Sequence, residues 1–230
     1  KHWRKNLEYF ARRNYASYSL DLIGFGDSDQ PGIKQIGKLN NEIWSNQIKD
    51  FIEQVIRPKN SGKVILIGNS LGSLVALTCA VSFEDQIATV IASPLPDQIK
   101  EKKTTSKPLF KKFKNRFIKI FFIFFPLEIL LFIIIRLGII KLGLNTAYYK
   151  KDNVDCELID LVTKPVLRRT SARSLRAMCI GMSSRDEKFQ ASYLLKKLGG
   201  SKKVPFLLIW GDKDNFIPLF VGKKIANFHG

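Results

Sequence analysis

Five residues, Gly68-Asn69-Ser70-Leu71-Gly72, constrain this chain most, because of what stands on either side of them. Before them, Val64 to Ile67 is a short apolar run closed off by Gly62 and Gly68, the pattern of a central parallel strand buried on both faces. After them, Leu71 to Val81 is rich in Leu, Val and Ala and predicts a helix. A G-x-S-x-G run between strand and helix is a sharp turn. Its small flanking residues let the backbone strain and push the serine out to where a base can reach it. The helix start adds a second effect, since the N–H of Leu71 points outward with the helix dipole behind it and can steady an oxyanion. Ser70 is therefore the candidate nucleophile and Leu71 the candidate oxyanion donor. The plain alternative is a glycine turn with no chemistry.

The rest of the chain supplies a setting for that turn. Tyr15 to Ile23 is β-prone and stopped by Gly24 and Gly26, which predicts a buried strand. Glu42 to Ile56 has helical spacing and ends before Pro58, while Ile87 to Ala92 and Val204 to Trp210 read as strands and Leu219 to Phe228 as a helix. Strands alternating with helices predict an α/β fold, a mostly parallel sheet with helices on both faces. From Gln98 to about Met182 the alternation breaks into a basic, a very apolar and a mixed helical stretch. The expected organisation is a core in two parts, 1–97 and 184–230, the second incomplete, with a helical cap inserted at 98–183. A chain of 230 residues can hold such a core.

The net charge is +18, and from Lys100 to Lys119 nine Lys or Arg face one acid, Glu101. So local an excess points to no nucleic-acid partner. Two readings of it stay open: attraction to an anionic membrane surface, or the coding bias that favours Lys, Ile, Asn and Phe. Beside it, Phe117 to Ile140 tempts one to see a membrane span. Lys119, Glu128 and Arg136 interrupt the run and Pro126 would break its helix, so no stretch reaches the roughly 18 residues a span needs. Two apolar cap helices fit better, packing on the core, lining an oily pocket, or resting peripherally on an anionic membrane. Cys79, Cys156 and Cys179 are odd in number and widely spaced, which fits a reducing compartment and suggests neither a disulfide framework nor a metal cluster. No metal or organic cofactor is implied.

Leu20-Asp21-Leu22-Ile23-Gly24-Phe25-Gly26-Asp27-Ser28-Asp29-Gln30-Pro31 resembles the D-x-x-G-x-G-x-S-x-x-P segment of the α/β-hydrolase superfamily, which ends the strand before the nucleophile strand. Within that superfamily, His2-Trp3-Arg4-Lys5-Asn6, the G-N-S-L-G turn and Trp210-Gly211-Asp212-Lys213-Asp214 are most similar to the cyanobacterial and plastid branch that includes pheophytinase. The resemblance implies an α/β-hydrolase fold with a helical cap and a triad in the order serine, acid, histidine. It places the acid at Asp214, whose role is to hold the base in its tautomer. Asp212 is the competitor, in a turn where an Asp commonly caps the backbone.

His229 follows in order, but the family fold needs a helix and another strand between acid and histidine, and Leu219 to Phe228 fills the helix alone. His229 is expected exposed after that helix, and His2 precedes the first strand. The expectation is that both ends are truncated, with the catalytic histidine and the His-Gly loop carrying the second oxyanion donor outside the given chain, which would be inactive as given. The resemblance implies cleavage of a carboxylic ester; the large apolar cap favours a bulky hydrophobic substrate, which resemblance to the pheophytinase-like branch would make a phytyl ester of a chlorophyll derivative, in a cytoplasmic or stroma-like compartment. Alternatives are C–C hydrolysis, acyl transfer to an acceptor other than water, or a non-catalytic, membrane-associated protein on a hydrolase scaffold. A serine at the turn disfavours dehalogenase and epoxide-hydrolase chemistry, which use Asp there.

Overall fold

The computed structural model describes residues 3–97, 117, 120–122, 124–201 and 203–229, apart from the side chains of residues 228 and 229. Three strands, β1 (Val64–Asn69), β2 (Ile87–Ser93) and β3 (Phe206–Leu208), form one parallel sheet in that order. Parallel neighbours need crossovers, and helices supply them. Ahead of β1 come α1 (Arg4–Ala11), the single turn α2 (Ile33–Ile36) and α3 (Asn41–Phe51), which a π-helical turn prolongs to Ile56. The first crossover carries α4 (Leu71–Ser82). Between β2 and β3 the described residues hold helices and no strand: α5 (Leu127–Arg136), α6 (Ile139–Ala147), α7 (Cys156–Val166), α8 (Ser171–Ser183) and α9 (Ala191–Ser201). The last helix, α10 (Leu219–His229), follows β3.

A helix apolar around most of its circumference belongs in the interior, and α4 is one: Ser73 through Ala80 are all buried, with the Ser73 and Thr78 hydroxyls bonded to backbone carbonyls. It lies against β1 and β2 with α3 and α9 packed alongside. The main core joins Leu74 and Leu77 of α4 to Ile87, Val90, Leu194, Leu195 and Ile225. A second cluster, Leu39, Trp44, Val75, Cys79 and Ala177, ties α4 to α3 and α8. Burial pushes the Cys79 thiol far up, so it stays neutral and acts as a packing residue. At the start of α3 the Asn40 side chain accepts hydrogen bonds from Glu42 N and Ile43 N, the usual way of satisfying free helix amides.

Three sequence expectations need correcting. Tyr15 to Ile23 forms no strand, because a strand needs a neighbour and no described segment pairs with it. Side chains hold its end instead: Gln47 Nε2 donates to Asp21 O (3.2 Å), Ile23 N to Gln47 Oε1 (2.9 Å) and Trp44 Nε1 to Ile23 O (2.8 Å). Strand β1 is covered on the Leu66 side, whereas Ile65 on the other side is 51% exposed. The apolar run therefore overstated its burial within the described residues. The apolar run does form separate helices, and no described helix is long and apolar enough to cross a membrane. However, only Leu127 of α5 is buried. A helix apolar on every side can press just one strip against its neighbours. The basic run ahead of it lies almost wholly outside the described residues.

Candidate active site at the strand-to-helix turn

Strand β1 ends in Gly68 and Asn69, and the chain reverses at once into α4. The reversal requires Gly68: a Cβ there would sit 2.3 Å from Gly72 O and 2.4 Å from Ser73 N. Ser70 carries the strain, with φ 52° and ψ −115° in a residue other than glycine. Such a conformation costs of order 1–3 kcal/mol and persists only where the surroundings impose it. The surroundings here are four hydrogen bonds. Ser93 O, at the end of β2, accepts from Ser70 N (3.1 Å) and from Asn69 Nδ2 (2.7 Å). The buried Ser73 hydroxyl donates to Gly68 O (2.9 Å) and accepts from Ser93 N (3.0 Å). The turn is thus fastened to the neighbouring strand, with the Ser70 side chain half-buried at its apex. Leu71 is the first residue of α4, so its N–H is among the amides with no acceptor inside the helix.

The loop after β3 carries Asp214. Trp210 Nε1 donates to Ile217 O (2.7 Å) and closes the loop. Asp214 Oδ1 accepts from Phe216 N and Ile217 N, both at 2.8 Å, which leaves Oδ2 without a partner among the described residues. This reverses one expectation: the Asp that caps the turn backbone is Asp214, while Asp212 is exposed. A carboxylate with one oxygen locked and the other free suits the orientation of a base. Ser70 after β1 and Asp214 after β3 lie beyond the carboxyl ends of parallel strands, hence at the same end of the sheet. No hydrogen bond joins them. No histidine is among the described side chains; His2 lies outside the described residues, and His229 closes α10 rather than following it.

The Asp21–Pro31 segment proves to be a scaffold. Gly26, at φ 53°, sits so close to the Asp21 carboxylate that a Cβ would come within 2.0 Å of it, and Asp21 Oδ2 accepts from Asp27 N at 2.9 Å. From the α7–α8 junction, Arg168 Nη1 donates to Gly26 O and Ser28 O (3.1 and 2.9 Å), Thr170 Oγ1 to Gln30 Oε1 (2.6 Å) and Arg173 Nε to Gln30 O (3.0 Å). Between this loop and α5, α7 and α8 lies a cavity of about 480 Å³, walled chiefly by Phe25, Leu39, Leu131, Leu161, Val162, Leu175 and Met178. Its size falls within the roughly 300–1,000 Å³ typical of small-molecule sites. Ser174, buried in its wall, has a hydroxyl with no partner among the described residues. Ser70, Leu71 and Asp214 do not border this cavity. Sequence reasoning raised an oily pocket beside the apolar helices only as one of several readings and missed the Ser73 and Ser93 supports; their sequence signal is a hydroxyl three residues past Ser70.

Comparison with known proteins agrees with this architecture. The alpha/beta hydrolase fold family matches residues 1–228. Epoxide hydrolase 3 of Xenopus tropicalis is 27% identical over 224 residues, 94% of this chain; the chain spans 55% of that protein's length. Among solved structures, a thermophilic esterase from Thermogutta terrifontis superposes with a TM-score of 0.58 at 19% identity, over 90% of this chain and 65% of the esterase. A meta-cleavage product hydrolase from Pseudomonas fluorescens IP01 superposes with a TM-score of 0.60 at 15% identity, over 98% of this chain and 72% of the other. With the strand order, the strained turn and a family match over nearly its whole length in accord, the chain belongs to the alpha/beta hydrolase fold family.

Proposed function

We propose that the protein carrying this chain is a serine hydrolase that cleaves a carboxylic ester of a bulky hydrophobic substrate. Ser70 is the nucleophile, the Leu71 N–H an oxyanion donor and Asp214 the acid that orients the base. The observation that carries the reading is the positive φ of Ser70 in a turn clamped by four hydrogen bonds. Strain held this firmly at a serine is hard to account for in a turn that only connects two elements. In the reaction Ser70 Oγ bonds to the ester carbonyl carbon and its proton passes to the base, which in such a triad is a histidine. The charge on the carbonyl oxygen falls beside the free amides of α4. The C–O bond then breaks, the alcohol leaves with the proton, and water hydrolyses the acyl-enzyme to the acid and free Ser70.

Serine also weighs against epoxide opening, despite the likeness to Epoxide hydrolase 3. A serine attacking an epoxide carbon would form an ether that water does not cleave, whereas a carboxylate forms an ester that it does. We read residues 98–183 as a cap over a core of 1–97 and 184–230, and the apolar cavity under it as room for the hydrophobic part of the substrate. Phytyl esters of chlorophyll derivatives, suggested by the pheophytinase-like motifs, head the substrates to assay. The test uses the full-length protein with a fluorophosphonate probe and a panel of esters. Labelling is expected at Ser70, and Ser70→Ala should abolish both labelling and turnover. Turnover that survives in Ser70→Ala would end the serine-hydrolase reading.

A further inference from the structure

Among the described residues, the outer side of the helices between β2 and β3 exposes a run of large apolar side chains. Phe117, Ile120, Phe121 and Phe124 recur at helical spacing and are all exposed, Phe124 to 80%. Along α5, Ile129, Phe132 and Ile133 form a second stripe, with Phe132 67% exposed, and Leu137 and Leu142 extend it across the α5–α6 turn. Scattered exposed leucines would mean little, but a run of large side chains along adjoining helices marks an interaction surface. The exposed charges around it are mainly positive: Arg136, Lys141, Lys150 and Lys151 stand against Asp152 and Glu128, and Glu128 is paired with Arg176 at 3.0 Å.

We infer that this face docks on the surface of an anionic lipid membrane, inserting the outer side chains of Phe124, Ile129, Phe132, Ile133 and Leu137 among the lipids with Arg136 and Lys141 at the head groups. A second copy of the chain is the poorer occupant, because pairing two such faces sets like charges together in a protein of net charge +18. Crossing the bilayer is ruled out for α5: ten residues span about 15 Å, half the hydrocarbon thickness. An apolar face rimmed by Lys and Arg is instead the composition of a helix that lies in the interface. The basic run before Phe117 lies outside the described residues. The inference is independent of the chemistry proposed for Ser70.

The test is flotation of the full-length protein with vesicles of phosphatidylcholine alone and of phosphatidylcholine mixed with phosphatidylserine. Binding is expected to the mixed vesicles, falling as salt rises from about 0.1 M to about 1 M and the screening length shrinks from about 10 to 3 Å. Arg136→Gln with Lys141→Gln should weaken it roughly thirtyfold, since each charge near an anionic surface contributes about 1 kcal/mol. Phe124→Ser with Phe132→Ser should abolish it while the thermal midpoint and the vesicle binding of Ser70→Ala stay as in the parent. Equal, negligible flotation with both vesicles overturns the inference. So does binding that survives the phenylalanine pair, or a dimer in sedimentation that the phenylalanine pair dissolves.

Discussion

Around Gly68 the nearest atoms are backbone: Gly72 O and C at 2.3 and 2.4 Å and Ser73 N at 2.4 Å from where a Cβ would stand. Backbone cannot step aside as a flexible side chain can, so Gly68→Ala must push α4 away from β1. The expected cost is about 1–3 kcal/mol by chemical denaturation, the range for overpacking a close-packed site. Because Ser70 turns on that contact, fluorophosphonate labelling should fall with it. Unchanged stability and labelling in Gly68→Ala would show that the approach is looser than described. The glycine and the serine announce themselves in G-x-S-x-G. Ser73 and Ser93 do not, because their value lies in bonds to each other across 20 residues of chain.

At the scale of elements, the apolar segment that leads into α5 is anchored by an arginine. Arg176 of α8 donates to Phe122 O (2.6 Å), Phe125 O (3.0 Å) and both carboxylate oxygens of Glu128 (3.0 Å each). Arg176→Met keeps bulk and removes all four bonds. It should lower stability by about 1.5–3 kcal/mol, read as a shift in the denaturation midpoint. The same contact predicts a pH effect. The hydrogen bond from Arg176 holds the Glu128 carboxyl below its ordinary 4.5, so the stabilisation is present above that value and is lost as pH falls through the lowered one. Glu128 is 59% exposed and solvent screens it, so the contribution is below about 1 kcal/mol. Comparing Glu128→Gln with the parent should show a small deficit at neutral pH that closes under acid; a deficit that persists at low pH would assign the effect to packing.

Over the whole molecule, the chain leaving β2 and the chain between α8 and α9 are tied to each other. Asp97, just after β2, is ion-paired with Arg185, just after α8, and Asp97 Oδ2 also accepts from Ala191 N (2.9 Å) at the start of α9. The pair is largely buried, at 20% and 12% side-chain exposure. Removing one partner strands the other charge, so Asp97→Ala should destabilise by about 1.5–3 kcal/mol. The replacement Asp97→Asn retains an oxygen for Ala191 N and should cost less. Proteolysis is expected to cut Asp97→Ala faster near residues 97 and 185 than elsewhere. Equal cutting throughout would mean that the pair stabilises the fold generally and does not hold these two chain segments together.

Short-range pattern was enough to determine the turn at Ser70, the helix after it, the strands at Val64 and Ile87 and the parallel sheet they imply, since each follows from spacing and turn chemistry within a few residues. Tertiary structure decided what depends on neighbours distant in sequence. Tyr15 to Ile23 has strand-like composition but no described partner, so side chains of α3 hold it instead. Asp212 and Asp214 both sit beside Gly211 in the sequence, and only the path of the loop to Ile217 shows which one meets the backbone amides. The apolar residues of α5 look alike in the sequence. Which of them face the cavity and which face outward depends on where α8 lies, because burial belongs to a pair of surfaces and not to a residue type.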